Sequence, residues 1–195
     1  MLRPATPDDA DDVRRIYEPF VRDTAVSFET TPPTGAEMRE RIASTLESRP
    51  WLVYERGGRV FGYAYAGSHR KRDAYQWSVD SSVYVADEVH RHGVARGLYT
   101  ALFGILEAQG YVNVYAGTTL PNPASVGFHR AMGFDPVGIY ENAGFKRGEW
   151  HDVQWFARAL CPHPEDPDPP ASLADVRDTS PFEEALAAGE SKIDR

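Results

Sequence analysis

The sequence predicts an α/β (α+β) domain with one main hydrophobic core, and three observations support that fold class. The chain has 195 residues, of which 42% are hydrophobic, and this is enough for one core. Apolar residues recur at helical spacing after start signals at Thr6 and Thr34. Segments of strand character at residues 51–66 and 77–85 then precede a further apolar helical stretch.

Two helices are predicted before the first of these strands. Thr6, Pro7 and Asp9 follow the pattern of N-cap, first helical residue and capping acid. Thr34 with Glu37 three residues later forms a second capping box. Both are followed by an apolar stripe, so each predicts an amphipathic helix.

Glycine and asparagine residues divide the rest of the chain. Gly57 and Gly58 permit the positive backbone angles of a tight hairpin turn between two strands. Residues 77–85 alternate in polarity, which places Asp80 on the face opposite the apolar side chains. The later predicted elements are a helix at 94–109, a strand at 111–117, a short helix at 122–132, and strands at 134–140 and 150–159.

Most of the negative charge lies in the C-terminal segment. The formal net charge is -8, but residues 161–195 hold 9 acidic and 3 basic residues, and residues 1–160 are close to neutral. The segment begins CPHPEDPDPP, and this density of proline opposes regular structure. We therefore expect a domain at residues 1–160 and a flexible acidic tail at 161–195, with one weak helix in its alanine-containing stretch and docking of the tail both left open. The acidic balance argues against a nucleic-acid partner.

Cysteine usage and hydropathy predict a soluble cytoplasmic protein. Cys161 is the sole cysteine, so no internal disulfide can form, and no Cys and His cluster has zinc spacing. We therefore expect no metal. The N-terminal residues lack a signal-peptide pattern, and no apolar run approaches the roughly 20 residues of a membrane span.

The join between the predicted strand 77–85 and helix 94–109 has the features of an anion site. It reads HRHGVAR, so Gly93 lies at the helix entrance with Arg91, His92 and Arg96 around it. Backbone N–H groups at a helix N-terminus favour a phosphate. An ordinary turn with solvated bases is the alternative, because a short glycine motif is weak evidence.

Several segments occur in an order that is typical of one enzyme family. These segments are VSFET, YQWSVDSSVYV, LPNPASVGFHRAMGF and GFKRGEWHDVQWF, and the likeness extends from Leu2 to about Leu160. They resemble the phosphinothricin N-acetyltransferase family within the GNAT superfamily of acetyl-CoA-dependent N-acetyltransferases. The resemblance implies a mixed, mostly antiparallel sheet that is flanked by helices and split by a V-shaped opening for acetyl-CoA.

The resemblance also implies which residues contact acetyl-CoA. Backbone groups of the strand end would bind the pantetheine arm and the tetrahedral oxyanion, and the basic loop would bind the pyrophosphate. His90 stands where the family usually has glutamine or arginine, and Ala95 stands where it often has glycine. The implied contacts are Val83, Tyr84, Val85, Arg91, His92, Gly93, Val94, Ala95, Arg96, Asn122 and Ser125.

Acetyl transfer to an amine needs a proton acceptor and a proton donor. An amine with a pKa near that of lysine, about 10, is protonated at neutral pH, so a base must remove its proton. Asp80 matches the position of a glutamate that looks catalytic in the family, but aspartate is one methylene shorter, so abstraction through a bridging water is an alternative to direct abstraction. An acid that only binds an ammonium or a neighbouring base is the alternative. His129 is the candidate donor to the departing thiolate, with a structural histidine as its alternative.

The acceptor site is expected to combine cations with an aromatic wall. Arg72, beside Arg70 and Lys71, offers paired donors to a carboxylate or phosphinate. Phe28 and Tyr75 are the candidate wall residues. A solvated basic turn and a core phenylalanine are the alternatives.

The closing segment GEWHDVQWF is interpreted as structural. Trp150, Trp155 and Phe156 are expected to be buried. In the family the C-terminal strands pack against a second subunit, so the resemblance implies a homodimer. His151 and Asp152 are not expected to form a catalytic dyad, because adjacent strand residues point to opposite faces.

The leading hypothesis is an N-acetyltransferase that acts on the α-amino group of a small amino acid analogue, such as phosphinothricin, methionine sulfoximine or methionine sulfone. Transfer would occur directly in a ternary complex, because the lone cysteine lies outside every motif. Acetylation of protein N-termini or polyamines is a second hypothesis, but it predicts an acidic acceptor groove. A non-catalytic CoA-binding regulatory module is the third.

Overall fold

A single mixed sheet forms the centre of the molecule in the computed structural model, which describes residues 1–194. Its strands are β1 (Leu2–Pro4), β2 (Trp51–Arg56), β3 (Arg59–Ser68), β4 (Ser78–Val85), β5 (Asn113–Thr119), β6 (Asp135–Lys146) and β7 (Glu149–Ala159). The helices are α1 (Ala10–Arg22), α2 (Gly35–Leu46), α3 (Val94–Gln109), α4 (Pro123–Ala131), α5 (Leu173–Val176) and α6 (Ser180–Glu190). The predicted fold class is confirmed, and β1 is an added strand that the sequence reasoning missed.

The strand order is β1-β2-β3-β4-β5-β7-β6, and every neighbouring pair is antiparallel except β4 and β5. The parallel pair is short, because it joins only Ser78–Asp80 to Asn113–Tyr115. Beyond Asp80 the two strands separate. The sheet is therefore forked at its centre.

The capping signals begin α1 and α2 as predicted. The backbone N–H of Thr6 donates to Asp9 Oδ2 at 2.7 Å in a 3-10 turn that leads into α1. Thr34 Oγ1 accepts from the N–H of Glu37 at 3.2 Å at the start of α2. Both helices contribute buried apolar residues to a cluster with β2 and β3, so their buried faces cover one side of the sheet.

Helix α3 packs in a second apolar cluster, which also contains buried residues of β3, β4 and β5. Leu98, Leu102, Ile105 and Leu106 are fully buried, as the apolar periodicity predicted. The helix ends at Gln109 and is capped by Gly110, which adopts a left-handed conformation with φ 90°. Within residues 1–194 no helix is both long and apolar enough to cross a membrane.

The C-terminal segment differs from the flexible tail that the sequence reasoning expected for residues 161–195. Residues 173–190 contain α5 and α6, and α6 packs along α3. Leu173, Val176 and Phe182 are buried in the same cluster as the α3 leucines. Flexibility was expected from the proline-rich start and the acidic charge of the segment, and these features do not show which of its residues are buried. The few apolar residues that follow lie on one face and gain burial against a helix remote in sequence.

The β6–β7 hairpin is longer and more exposed than predicted. Strand β6 lies at the sheet edge, continues to Lys146, and is exposed at residues 135–143. Phe156 is fully buried as expected, but Trp150 is 61% exposed. The expected burial of Trp150 is therefore wrong for a single chain, because no element of residues 1–194 covers that end of the hairpin.

Candidate active site

The fork between β4 and β5 opens into a cleft of about 430 Å³. β4 pairs with β3 as far as Val85, and β5 pairs with β7 as far as Thr119, so the inner edges beyond the fork are not paired with each other. Their backbone N–H and C=O groups are available to an extended ligand. The predicted residues that line the cleft are Val83, Tyr84, Val85, Arg91, Gly93, Val94, Ala95, Arg96, Asn122, Ser125 and His129.

The N-terminus of α3 forms one wall of this cleft. Gly93 is its N-cap with φ 76°, and no side chain caps the helix there. The N–H groups of its first turn therefore lack intrahelical partners and carry partial positive charge. Arg91, itself left-handed at φ 65°, and Arg96 add formal charge. This arrangement suits a phosphate or pyrophosphate.

Gly93 is constrained by the C-terminal segment as well as by its own φ. A Cβ at this position would overlap the carbonyl oxygen of Lys192. The neighbouring His92 does not line the cleft, and its carbonyl oxygen accepts from the N–H of Asp194 at 3.0 Å. The end of the chain therefore packs directly behind the loop that forms the anion site.

Asn122 and Ser125 fix the start of α4 at the cleft. Asn122 Oδ1 accepts from the N–H of Ser125 at 3.0 Å, which is an N-cap bond. Ser125 Oγ lies 3.0 Å from Thr118 Oγ1 on β5. The two predicted contact residues are thus held in place by the cap and by β5.

His129 is buried among aromatic rings at the inner wall. Its ring stacks on Phe156 with a centroid distance of 5.2 Å, and Nδ1 lies 2.8 Å from the Ser125 carbonyl oxygen. Because a carbonyl only accepts, Nδ1 carries the proton. Burial lowers the pKa of His129, and the bond to Ser125 opposes that shift only in part. These surroundings favour a neutral ring with its proton on Nδ1, and the role of proton donor to the departing thiolate stays a prediction.

Asp80 lies at the fork, where it is the last β4 residue to pair with β5. Its Oδ1 is 2.7 Å from Nδ1 of His69. Burial raises the pKa of the Asp80 carboxyl above its usual range, while the hydrogen bond and charge of His69 and the charge of Arg70 partly oppose the rise. A carboxylate with a raised pKa is a stronger base, so its environment favours proton abstraction.

His69 is the residue at this site that the sequence reasoning missed. It follows β3 directly, and the antiparallel register places Gly67 opposite Asp80. The only signal in the sequence is its place at the head of the basic segment HRKR. The register of β3 against β4 was needed to connect it with Asp80.

The three predicted acceptor residues do not line the cleft. The ring of Phe28 covers Gly144 on β6. Tyr75 meets the edge of His69 at a centroid distance of 5.8 Å. Arg72 lines a separate depression of about 280 Å³ on the basic loop. Of the cations of that loop, Arg70 is the one whose charge acts on Asp80.

His151 and Asp152 serve the hairpin rather than the cleft. His151 Nε2 bonds the Lys146 carbonyl oxygen at 2.9 Å, and Asp152 Oδ1 accepts from the N–H of Asn142 at 2.8 Å. Their separate partners agree with the rejection of a dyad. Among residues 1–194 no group of three or more His, Cys, Asp or Glu side chains could hold a metal ion.

Comparisons with known proteins agree with this geometry. Residues 2–155 match the family model described as an acetyltransferase (GNAT) domain. A phosphinothricin N-acetyltransferase of Streptomyces viridochromogenes is 39% identical, over 90% of this chain and 93% of that protein. An L-methionine sulfoximine/L-methionine sulfone acetyltransferase of Pseudomonas paraeruginosa is 31% identical, over 83% of this chain and 95% of that protein.

A solved structure has the same architecture. The phosphinothricin acetyltransferase of Sinorhizobium meliloti, in complex with acetyl-CoA, superimposes with a TM-score of 0.81 at 32% identity. The match covers 89% of this chain and 97% of that one. The forked sheet, the family match and these relatives lead to one conclusion. The chain belongs to the phosphinothricin N-acetyltransferase family of the GNAT acetyltransferases.

Proposed function

We propose that this chain transfers the acetyl group of acetyl-CoA to the α-amino group of a small amino acid analogue in a ternary complex. One observation carries the proposal: the cleft runs from the α3 N-terminus to Ser81 at the fork, and Asp80, which does not itself line the cleft, is the next residue on β4. The relatives named for phosphinothricin and for methionine sulfoximine or sulfone support this class of acceptor.

The residues present fit acetyl-CoA. The unpaired edge at Val83–Val85 offers alternating donors and acceptors to the pantetheine amides, and the α3 N-terminus with Arg91 and Arg96 suits the pyrophosphate. When bound, acetyl-CoA would supply the activated acetyl group as a thioester. A backbone N–H at Tyr84 or Val85 would stabilise the oxyanion that develops during transfer.

Asp80 would act as the general base. Its carboxylate accepts a proton from the substrate ammonium, which leaves the nitrogen lone pair free to attack. As the N–C bond forms and the C–S bond breaks, the sulfur leaves with the bonding electrons. The second nitrogen proton then passes to the sulfur, and the proton held by Asp80 returns to solvent. His129 would shape the wall of the site through its stacked, neutral ring.

The basic loop would bind the anionic end of the acceptor. Arg70 and Arg72 line a depression on this loop, the charge of Arg70 acts on Asp80, and Tyr75 packs against the adjacent His69. Phe28 would wall the acceptor side from the loop after α1. This placement favours an acceptor with a carboxylate or phosphinate over a polyamine.

The exposed hairpin supports a homodimer as part of the proposal. An edge strand that is exposed over residues 135–143 and carries apolar side chains is costly to leave in water. Phe145 and Trp150 extend the apolar surface at the hairpin end. A second copy would cover it. A cytoplasmic location accords with the single cysteine.

Release of free CoA across an acceptor panel tests the proposed function. The panel contains phosphinothricin, methionine sulfoximine, methionine sulfone, spermidine and a peptide with a free N-terminus. We expect thiol release with the first three. No release above background with any amine would refute the enzyme, and a preference for spermidine or the peptide would refute the acceptor class.

An Asp80→Ala variant tests the base. Its kcat should fall roughly 100-fold or more, because that is the range for loss of a general base. Asp87→Ala removes an exposed acid shortly after β4 and should keep the wild-type rate. An Asp80→Ala enzyme with full activity at neutral pH would eliminate Asp80 as the base.

A further inference from the structure

We propose that His69 is a positioning residue, which holds the Asp80 carboxylate in the orientation that proton abstraction requires. The inference rests on the proposed function, because it assumes that Asp80 is the base. His69 lies outside the family motifs and does not line the cleft.

The hydrogen bond between the two side chains has a defined direction. The 2.7 Å contact joins His69 Nδ1 to Asp80 Oδ1. An ionised carboxylate only accepts, so the imidazole donates from Nδ1. Within residues 1–194 the carboxylate has no other hydrogen-bond partner, which leaves Oδ2 for the substrate amine.

Packing fixes the imidazole before substrate binds. Its ring stacks on Tyr115 at a centroid distance of 4.1 Å and an interplanar angle of 15°. The rings of Tyr75 and Trp155 meet its edge. The His69 side chain is 11% exposed, whereas that of Asp80 is 35% exposed. A confined donor beside a more accessible carboxylate is the arrangement expected of a group that supports the reacting residue.

The position of Asp80 at the end of the pairing between β4 and β5 explains why the hydrogen bond from His69 matters. Asp80 is the last paired residue before β4 and β5 diverge, and Tyr115 is its partner across the fork. Its backbone is therefore fixed while its side chain borders open space. A short aspartate rotating about χ1 would otherwise present either oxygen or neither to the amine, and misplacement by about 1 Å costs on the order of 100-fold in rate.

The groups around Asp80 also make His69 its main electrostatic partner. Arg70 acts on it only through its charge, from the same loop. Tyr65 on β3 and Tyr115 on β5 are the neighbouring phenols of the carboxylate, and Tyr75 packs against the imidazole. Loss of the His69 donor leaves the effect of burial opposed by Arg70 alone, so the pKa of Asp80 rises further.

Two substitutions at position 69 separate the functions of the side chain. His69→Asn keeps an N–H donor close to the place of Nδ1 but has no ring, and His69→Phe keeps a ring to stack on Tyr115 but has no donor. We expect His69→Asn to retain kcat within about threefold. We expect His69→Phe to lower kcat by about 10- to 100-fold with little change in the KM for acetyl-CoA.

The acid limb of the kcat/KM profile supplies a readout that a merely structural role would not move. In His69→Phe this limb should shift to higher pH, because Asp80 then needs a higher pH to ionise. Thermal melts confirm that both variants fold.

Every other pattern overturns the inference. If kcat falls in His69→Asn and is retained in His69→Phe, only the stacking of the ring on Tyr115 matters. Equal losses in both would mean that the imidazole itself carries the proton. Asp80→Ala in the same assay distinguishes failure of the proposed base from failure of the proposed role of His69. An active Asp80→Ala enzyme would reject Asp80 as the base. An inactive Asp80→Ala enzyme together with an active His69→Phe enzyme would reject only the role of His69.

Discussion

Helix α6 is anchored to the domain by Phe182, and truncation of this side chain measures how strongly the C-terminal segment is docked. Phe182 is 2% exposed and belongs to the apolar cluster that contains the α3 leucines. Replacement of a buried phenylalanine by alanine removes its transfer free energy and leaves a cavity, at a cost of about 3–5 kcal/mol. For a chain of this size each kcal/mol lowers Tm by about 2–4 °C, so Phe182→Ala should melt roughly 6–20 °C below wild type.

Urea unfolding followed by tryptophan fluorescence gives the free energy of unfolding, and circular dichroism gives Tm. Glu184→Ala, on an exposed position of the same helix, is the matched control and should stay within about 0.5 kcal/mol of wild type. The m-value should be unchanged, because the native fold persists. A Phe182→Ala midpoint equal to that of the control would show that α6 does not contribute to the folded core.

Gly93→Ala should raise the KM for acetyl-CoA about tenfold, since the new Cβ meets the chain end behind the anion site. Gly58→Ala, at a similar φ of 77° but in open space, is the control and should not change this KM. Equal KM values in the two variants would contradict the role of the chain end. Wild type should lose stability as pH falls below about 6.5, because unfolded His129 takes up a proton that the buried ring resists. Urea midpoints from pH 7 to 5 should fall less in His129→Phe, and an identical pH dependence would exclude His129 as the cause. Trp150→Ser should convert a dimer to a monomer in size-exclusion chromatography; a wild-type monomer would refute the proposed dimer.

The elements that formed as predicted are those whose signals are local. The capping boxes at Thr6 and Thr34 begin helices because side chains accept from N–H groups within the first turn: Asp9 accepts from the N–H of Thr6, and Thr34 accepts from the N–H of Glu37. Gly93 and Gly110 bound α3 because both adopt positive φ, which glycine adopts at little cost. Information of this kind lies within a few residues and can be read without knowing what the segment packs against.

The parts that sequence reasoning missed depend on contacts between distant residues. Burial of Phe182 and exposure of Trp150 depend on whether another element covers each side chain. The acidic composition of the C-terminal segment correctly described its surface but did not reveal its apolar face. Long-range burial is set by the packing of the whole chain, so composition alone could not assign it.

The candidate site combines both kinds of information. The sequence by itself determined that Asp80 faces away from the apolar side of its strand and that a glycine opens the helix at the basic loop. Only the tertiary structure decided that β4 separates from β5 at Asp80 and that His69 donates to that carboxylate. The physical reason is that a strand's alternation is a property of its own backbone, whereas the register between strands places residues 11 positions apart within hydrogen-bonding distance.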